Sequence, residues 1–415
     1  MKLLYPLFMY LMNVGIRIAS RFSDKAKKFV DGRKGLMNRI QKEFAGKNQP
    51  VVWVHCASLG EFEQGRPVIE RIKAEYPETK ILLTFFSPSG YEVQKRFALA
   101  DFVCYLPVDS KRNARRFVSI VRPSLVIYVK YEFWYYFTRE IARAKIPLIC
   151  ISSIFRSSQP FFQSYGNFFR EILSFFSFFF VQNDQSLKLL KSIGLTNTQR
   201  AGDTRFDRVN QLSKQGNHIA IAKEFKGDDK LMVVGSCWPE DAEVLIPFIN
   251  DHYYQMKFII APHEIKREFL DELEGGLHVK TVRYSQALTT PNLDAYQVLI
   301  IDNVGMLSRL YRYGEYAFVG GAFGRGLHNI LEAACYGVPI FFGNKHYEKF
   351  QEAVDLINRG GAFEVADYPD LKVKYALINE PQSFLLACEV TRLYVEENLG
   401  ATEKIMAYCR KFLDV

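Results

Sequence analysis

Short apolar runs alternate with amphipathic stretches along most of this chain, and few folds accept that pattern. VVWVHCAS (51–58), KILLTFFS (80–87), SLVIYVK (124–130), PLICISSI (147–154) and FFFVQN (178–183) have the length of strands and little polar alternation. A strand with one wet face carries a polar residue at every second position, so runs without that rhythm are buried on both faces. The segments between them read as helices: FEQGRPVIERIKAEYP, stopped by Pro77, and SGYEVQKRFALA. DFVCYLP is shorter and extended. Strand, helix, strand in this order predicts a parallel sheet covered on both sides.

The strand signal lapses over the polar stretch that contains SKQGN, then restarts. KLMVVGS, KFIIAP, VLIID, YAFVGG and VPIFFG read as strands; PEDAEVLIPFIND, opened by its proline, and NILEAACYG, closed by Gly337, read as helices. A chain of 415 residues suits two domains of about 150–200 residues. The expected layout is an N-terminal helix and basic segment (1–35), a first doubly wound domain (36–205), a linker (206–229), a second such domain (230–381) and a closing helical segment (382–415). In open parallel sheets ligands bind beyond the carboxyl ends of the strands. If the two sheets face each other, the loops at those ends line one cleft.

A formal charge of +9 suits an anionic partner, but no basic run interleaved with aromatics favours nucleic acid. The seven cysteines are scattered without a CxxC pair, which argues against a zinc site or a disulfide framework and for a reducing compartment. Leu3 to Ile18 is apolar apart from Asn13 and Arg17, and Arg21, Lys25, Lys27, Lys28, Arg33 and Lys34 follow. That stretch is short for a spanning helix, which needs about 20 apolar residues, and it lacks a small-residue cleavage site. It suits a helix lying in an anionic leaflet; an ordinary buried N-terminal helix is the other reading.

Two stretches carry candidate chemistry. Glu61 stands where the first strand hands over to a helix, in HCASLGE. A solvated first-turn glutamate, favoured by the helix dipole, is the plain reading of that position. In AFVGGAFGRGLHNILEAACYG a strand ends in Gly320-Gly321, a loop holds Gly324, Arg325 and Gly326, and His328-Asn329 opens a helix with Glu332 one turn in. Glycines let backbone N–H groups approach a phosphate, and a first-turn glutamate can accept ribose hydroxyls. The spacing differs from GxGxxG with a distant acid, so a dinucleotide site is disfavoured.

With these motifs in place the chain resembles the 3-deoxy-D-manno-octulosonic acid (Kdo) transferases of lipopolysaccharide biosynthesis, nearly end to end. The family's Ser-Val-Gly-Glu signature matches Ser58-Leu59-Gly60-Glu61; its Thr-Glu-Leu-Trp element matches Tyr131 to Trp134; its Phe-Val-Gln-Asn strand end matches Phe180 to Asn183; its Gly-Asn-x-Lys-Phe-Asp element matches Gly202 to Asp207. The Gly-Gly…Gly-Gly-His-Asn-x-x-Glu motif matches Gly320, Gly321, Gly326, His328, Asn329 and Glu332, with Leu327 replacing a glycine. Departures are Lys130 where a second acid is frequent, Trp238 for a histidine, His263-Glu264 for Arg-His, and Met306 for an acid.

The resemblance implies a GT-B glycosyltransferase, two Rossmann-like α/β domains facing across a cleft. It implies an inverting, metal-independent transfer of Kdo from CMP-Kdo to the lipid A precursor (lipid IVA), without a cofactor. The site would be monotopic, on the cytoplasmic face of the inner membrane. Glu61 corresponds to the family's base. Donor candidates are Ser236, His263, Gly320, Gly321, Gly326, Asn329 and Glu332. On the acceptor side stand Ser58, Gly60, Ser87, Ser89, Gly90, Lys130, Glu132 and Arg156. Lys130 would meet the Kdo carboxylate or an acceptor phosphate, or simply pair with Glu132, and Ser87 and Ser89 would bind phosphate or only cap a helix. Phe161, Phe162, Phe168 and Phe169 are expected to include lining for acyl chains, although burial is the default for aromatics. Two other functions remain open at this point: a GT-B enzyme using another donor such as a UDP-sugar, and a non-catalytic membrane-surface binding protein.

Overall fold

The apolar runs do become strands buried on both faces. The structure, a computed structural model, describes every residue except 1, 3, 47, 48, 217 and 415, so Met1 and Leu3 of the N-terminal segment, Asn217 of the expected linker and Val415 of the closing segment lie outside it. The first sheet contains β1 (Val51–Cys56), β2 (Lys80–Phe85), β3 (Phe102–Tyr105), β4 (Leu125–Val129), β5 (Leu148–Ser153), β6 (Phe178–Val181) and β7 (Thr198–Arg200). Their order is β3-β2-β1-β4-β5-β6-β7, with every pair parallel. The second contains β8 (Leu231–Cys237), β9 (Lys257–Pro262), β10 (Thr281–Arg283), β11 (Val298–Ile300), β12 (Tyr316–Val319), β13 (Ile340–Gly343) and β14 (Ala362–Val365). Here the order is β10-β11-β9-β8-β12-β13-β14, again parallel throughout. The edge strands β7, β10 and β14 were not expected. They are three or four residues long, too short to form an apolar run.

The chain divides into two compact units, Met1–Asp207 with Gly400–Val415, and Arg208–Leu399. The stretch expected as linker is largely helical, with helices Thr204–Lys214 and Ala220–Lys226. The closing segment is two helices, Pro381–Glu397 and Ala401–Leu413, parted at Gly400, whose φ of 96° is left-handed. The second of them returns to the first unit. There Ile405, Met406 and Cys409 pack with Val68, Ile69 and Ile72, and the Arg410 guanidinium meets Glu75 at 2.9 Å. The Asp207 carboxylate accepts the Gly400 and Thr402 N–H groups at 2.7 and 2.6 Å, capping this helix.

The N-terminal helix, Leu4–Ala19, is held to the first unit by one face. Met9 is buried, and the Tyr5 ring touches Tyr135, Tyr136 and Phe168. The Tyr5 hydroxyl donates to Asp109 at 2.6 Å. Asp109 also accepts the Tyr136 and Phe137 N–H groups, and burial pushes its carboxyl up to about 6. Leu4, Leu7, Phe8, Leu11 and Ile18 stay exposed. No helix of the described residues is long and apolar enough to cross a membrane. Tyr5→Phe removes a hydrogen bond to a buried carboxylate, so the first unit loses about 1–3 kcal/mol, seen as a lower urea midpoint with unchanged secondary structure.

Candidate active site

Each sheet has one point where successive strands leave in opposite directions, and a crevice opens at the carboxyl ends there. In the first unit it lies between β1 and β4; in the second, between β8 and β12. Glu61 follows β1, and Lys130 to Glu132 follow β4. Ser236 to Trp238 end or follow β8, and Gly320-Gly321 follow β12.

In the first unit Ser58 is the residue before helix Leu59–Glu75, and Glu61 is in its first turn. Ser-x-x-Glu is the pattern of a capping box, yet the serine side chain makes no cap hydrogen bond. Instead the Ser58 hydroxyl donates to Glu61 Oε2. Oε1 has no protein partner among the described residues. Burial raises the Cys56 thiol, and the charges of Glu61 and Glu132 raise it further, so both carboxylates lie near the end of β1. Burial likewise raises the Tyr131 phenol; Glu61 adds to this and Arg156 opposes it. Residues of the loops after β1 and β5, Glu61 and Arg156, therefore both lie near Tyr131 in the loop after β4.

Glu132 is not a surface partner of Lys130. Its Oε2 accepts the His55 Nε2–H at 3.0 Å and the Trp134 indole N–H at 3.1 Å. His55 Nδ1 meets Thr84 Oγ1 at 2.9 Å, and Thr84 Oγ1 accepts the Trp53 indole N–H at 2.8 Å. Because Nε2 donates to the carboxylate, a neutral His55 accepts the Thr84 hydroxyl proton at Nδ1. Trp53, Thr84 and His55 are fully buried, so Glu132 is fixed from inside the sheet. Lys130 has no carboxylate within ion-pair distance among the described residues, and its φ of 68° is unusual for a residue with a side chain. Such strain gathers at functional sites.

Ser87 caps helix Pro88–Gln94, accepting from the Ser89 N–H at 3.3 Å. Gly90 is buried. A Cβ there would overlap the Phe85 ring and come within 3.0 Å of the Ser58 carbonyl carbon, so this glycine serves a close approach of two loops rather than a ligand contact. Gly60 is exposed beside Ser58. Arg33, expected on the basic surface, is turned inward. It donates to the Phe29, Phe86 and Leu106 carbonyls at 2.8–3.0 Å, and burial lowers its guanidinium to about 9. Arg156 is exposed. Phe161 and Phe168 are core residues, which corrects the expectation for those two; Phe162 and Phe169 are half-buried against the same cluster.

In the second unit Asp241, fully buried, joins the ends of β8 and β12. Its Oδ2 accepts the Trp238 and Gly321 N–H groups, each at 2.9 Å. A Cβ on Gly320 would overlap the Ser236 carbonyl oxygen, and the Gly321 φ of 96° is left-handed, so both glycines are required. Ser236 is left-handed too, with φ 52°. The loop does not present its N–H groups as expected. Those of Gly324, Arg325 and Gly326 all turn back to the Gly321 carbonyl at 2.8–3.2 Å. The N–H groups of Asn329, Ile330 and Leu331 have no protein acceptor among the described residues, and neither do those of Ala322, Phe323 and Leu327. His328 and Asn329 do not open a long helix either: the helix is one turn, Leu331–Ala334, ended by left-handed Gly337. Asn329 donates to Glu332 at 3.2 Å, and its own buried oxygen lacks a partner. Trp238, His263 and His328 stack. Arg325 lies over the Trp238 ring at 5.1 Å, and Lys349 Nζ approaches Gly326. Among the described residues no group of three or more His, Cys, Asp or Glu is placed to hold a metal ion.

Asp241, His55, Thr84 and Lys349 were not singled out in the sequence. Only Asp241 carries a local signal, an acid two residues after Pro239 in the first turn that reaches back to the N–H of the capping residue, Trp238.

Two parallel-sheet Rossmann-like domains of this kind place the protein in an α/β class whose structural neighbours are GT-B glycosyltransferases and epimerases. The UDP-GlcNAc 2-epimerase of Neisseria meningitidis bound to UDP-GlcNAc aligns with a TM-score of 0.62 at 16% identity, over 88% of this chain and 100% of that one, a likeness of fold. Residues 31–208 match the family model described as 3-deoxy-D-manno-octulosonic-acid transferase (kdotransferase). Over longer spans the chain is similar to curated 3-deoxy-D-manno-octulosonic acid transferases. That of Aquifex aeolicus is 28% identical over 80% of this chain and 87% of its own length. That of Chlamydophila psittaci is 25% identical over 93% and 92%.

Proposed function

We propose that this protein is an inverting glycosyltransferase that moves Kdo from CMP-Kdo onto a hydroxyl of the lipid A precursor, lipid IVA. The observation that carries the reading is Glu61. It stands at the end of β1 within the Kdo-transferase family match, with one oxygen held by the Ser58 hydroxyl and the other without a protein partner. Glu61 takes the proton of the acceptor hydroxyl. The acceptor oxygen bonds to the anomeric carbon as the bond from that carbon to the CMP oxygen breaks, and CMP leaves with the electron pair. Inversion follows from one displacement with a base on the acceptor side. On the leaving side, the N–H groups of Asn329 and Ile330, with Lys349 and Arg325 nearby, suit a phosphate. Ser236, His263, Gly320, Gly321, Gly326 and Glu332 frame that side, and no metal is required.

The exposed apolar residues of helix Leu4–Ala19, followed by Arg21, Lys25 and Lys27, fit a helix lying in an anionic leaflet on the cytoplasmic face of the inner membrane. Leu7→Glu with Leu11→Glu is expected to abolish co-flotation with phosphatidylglycerol vesicles; unchanged flotation removes this assignment.

A transfer assay with CMP-Kdo generated in place and lipid IVA as acceptor tests the whole reading. Mass detection should show acceptor heavier by one or more Kdo units. Absence of transfer, with UDP rather than CMP raising the melting temperature, overturns it.

A further inference from the structure

Position 238 is a departure from the resembling family, and its geometry gives it a specific role. The indole N–H of Trp238 donates to His328 Nε2 at 2.9 Å. An indole nitrogen can only donate, so Nε2 must present a lone pair, and a neutral imidazole then carries its single proton on Nδ1. No described residue accepts a hydrogen bond from that Nδ1–H.

The ring has little freedom to do otherwise. His263 stacks on it with centroids 4.3 Å apart and planes at 28°. His263 in turn stacks on Trp238 at 4.4 Å and 22°. The other constraint is Gly321, where a Cβ would sit 2.9 Å from His328 Cδ2 and 3.2 Å from Nε2. A ring flip would turn Cε1 toward the indole N–H and lose the hydrogen bond. A histidine at position 238 could donate or accept and would leave the tautomer open. A tryptophan cannot.

We propose that Trp238 is a positioning residue that locks His328 as the neutral Nδ1–H tautomer and so keeps a donor open for the phosphate of the nucleotide leaving group; this rests on the CMP-Kdo reading above. The neighbours suit that ligand. The N–H groups of Asn329 and Ile330 lack acceptors, and Lys349 Nζ stands beside Gly326. Burial, with His263 adding to it, pushes the His328 imidazole down to about 4. That direction agrees with the lock, since an imidazolium would set an Nε2–H against the indole N–H. Arg325, over the Trp238 ring and 3.5 Å from Glu240, closes the outer side. His328 thus donates without carrying charge, and its donation does not vary across neutral pH.

Long-range ¹H–¹⁵N correlation spectra of the full-length protein test the lock without any ligand, with His328 assigned through its loss in His328→Gln. Wild-type His328 should show Nε2 as the unprotonated nitrogen. Trp238→Phe should give mixed tautomers, an unchanged melting temperature and CMP binding weaker by about 10-fold, the worth of one neutral hydrogen bond. Trp238→His should recover part of that affinity. A wild-type spectrum with the proton on Nε2 overturns the lock, and so does a Trp238→Phe protein that keeps both the Nδ1–H tautomer and wild-type CMP affinity. Wild-type protein with the expected tautomer but no affinity for CMP overturns the donor reading and the ligand assigned here, and leaves the lock standing.

Discussion

Glu61→Gln should lower the rate constant of sugar transfer by about 10²–10⁴-fold, the range in which a positioned general base acts. Its CMP affinity and melting temperature should match those of the wild type. The substitution is chosen for what it keeps. Glutamine has the same shape, and its amide oxygen can still accept the Ser58 hydroxyl proton where Oε2 now does. Only the capacity to take a proton from a sugar hydroxyl is gone. Glu61 is half-buried in the first turn of its helix, and its partner is the neutral Ser58 hydroxyl, so no opposite charge is left unpaired by the change. Ser58→Ala should be milder, about 10-fold, because it removes a hydrogen bond that orients the carboxylate and leaves the base itself. Single-turnover transfer followed by mass spectrometry, with CMP binding measured by calorimetry, separates chemistry from donor affinity. Retained transfer by Glu61→Gln removes the base assignment, whatever becomes of the family reading.

How much of this was legible in the sequence depends on the range of the interaction. The long apolar runs declared their strands because burial on both faces leaves no polar alternation, as in Val51 to Cys56, where every residue is buried. β7, β10 and β14 did not, since an edge strand of three or four residues carries too little pattern. The return of helix Ala401–Leu413 to the first unit depends on Asp207 and Glu75, residues hundreds of positions away, and nothing local announces it. The place of Glu61 was legible, since a strand handing over to a helix marks a carboxyl end where ligands bind in such sheets, but the reversal of strand order beside it was not. Glu132 was legible as a residue and not as a partner. It sits two residues from Lys130, but its bond is to His55, a residue hidden inside an apolar strand. The glycine loop shows the reverse error. Its composition signals a phosphate cradle, yet in three dimensions the N–H groups of Gly324, Arg325 and Gly326 all converge on the Gly321 carbonyl, while those of Asn329 and Ile330 further along stay open.

Asp241→Ala should be the most damaging single change in the second unit, costing about 2–5 kcal/mol, because the Trp238 and Gly321 N–H groups would both be left buried without an acceptor. CMP binding should fall as well, since the two N–H groups belong to the residue that holds His328 and to the left-handed glycine beside it. Asp241→Asn should cost much less, because its amide oxygen can take over both hydrogen bonds. The pair of variants also carries a pH signature. Burial raises the Asp241 carboxyl from an ordinary 3.8 to about 6, so between those values the folded protein holds a proton that the unfolded chain releases. Stability from this group is therefore full below about pH 4 and is lost as pH rises through 6. Wild type should gain on Asp241→Asn by up to ~3 kcal/mol as pH falls from 7 to 4, the worth of a shift of about two pK units. Urea unfolding of both proteins at pH 4, 5, 6 and 7 measures it. A constant gap between them would mean that Asp241 is not buried as an ionised carboxylate at neutral pH, and that the junction between β8 and β12 is held together by something else.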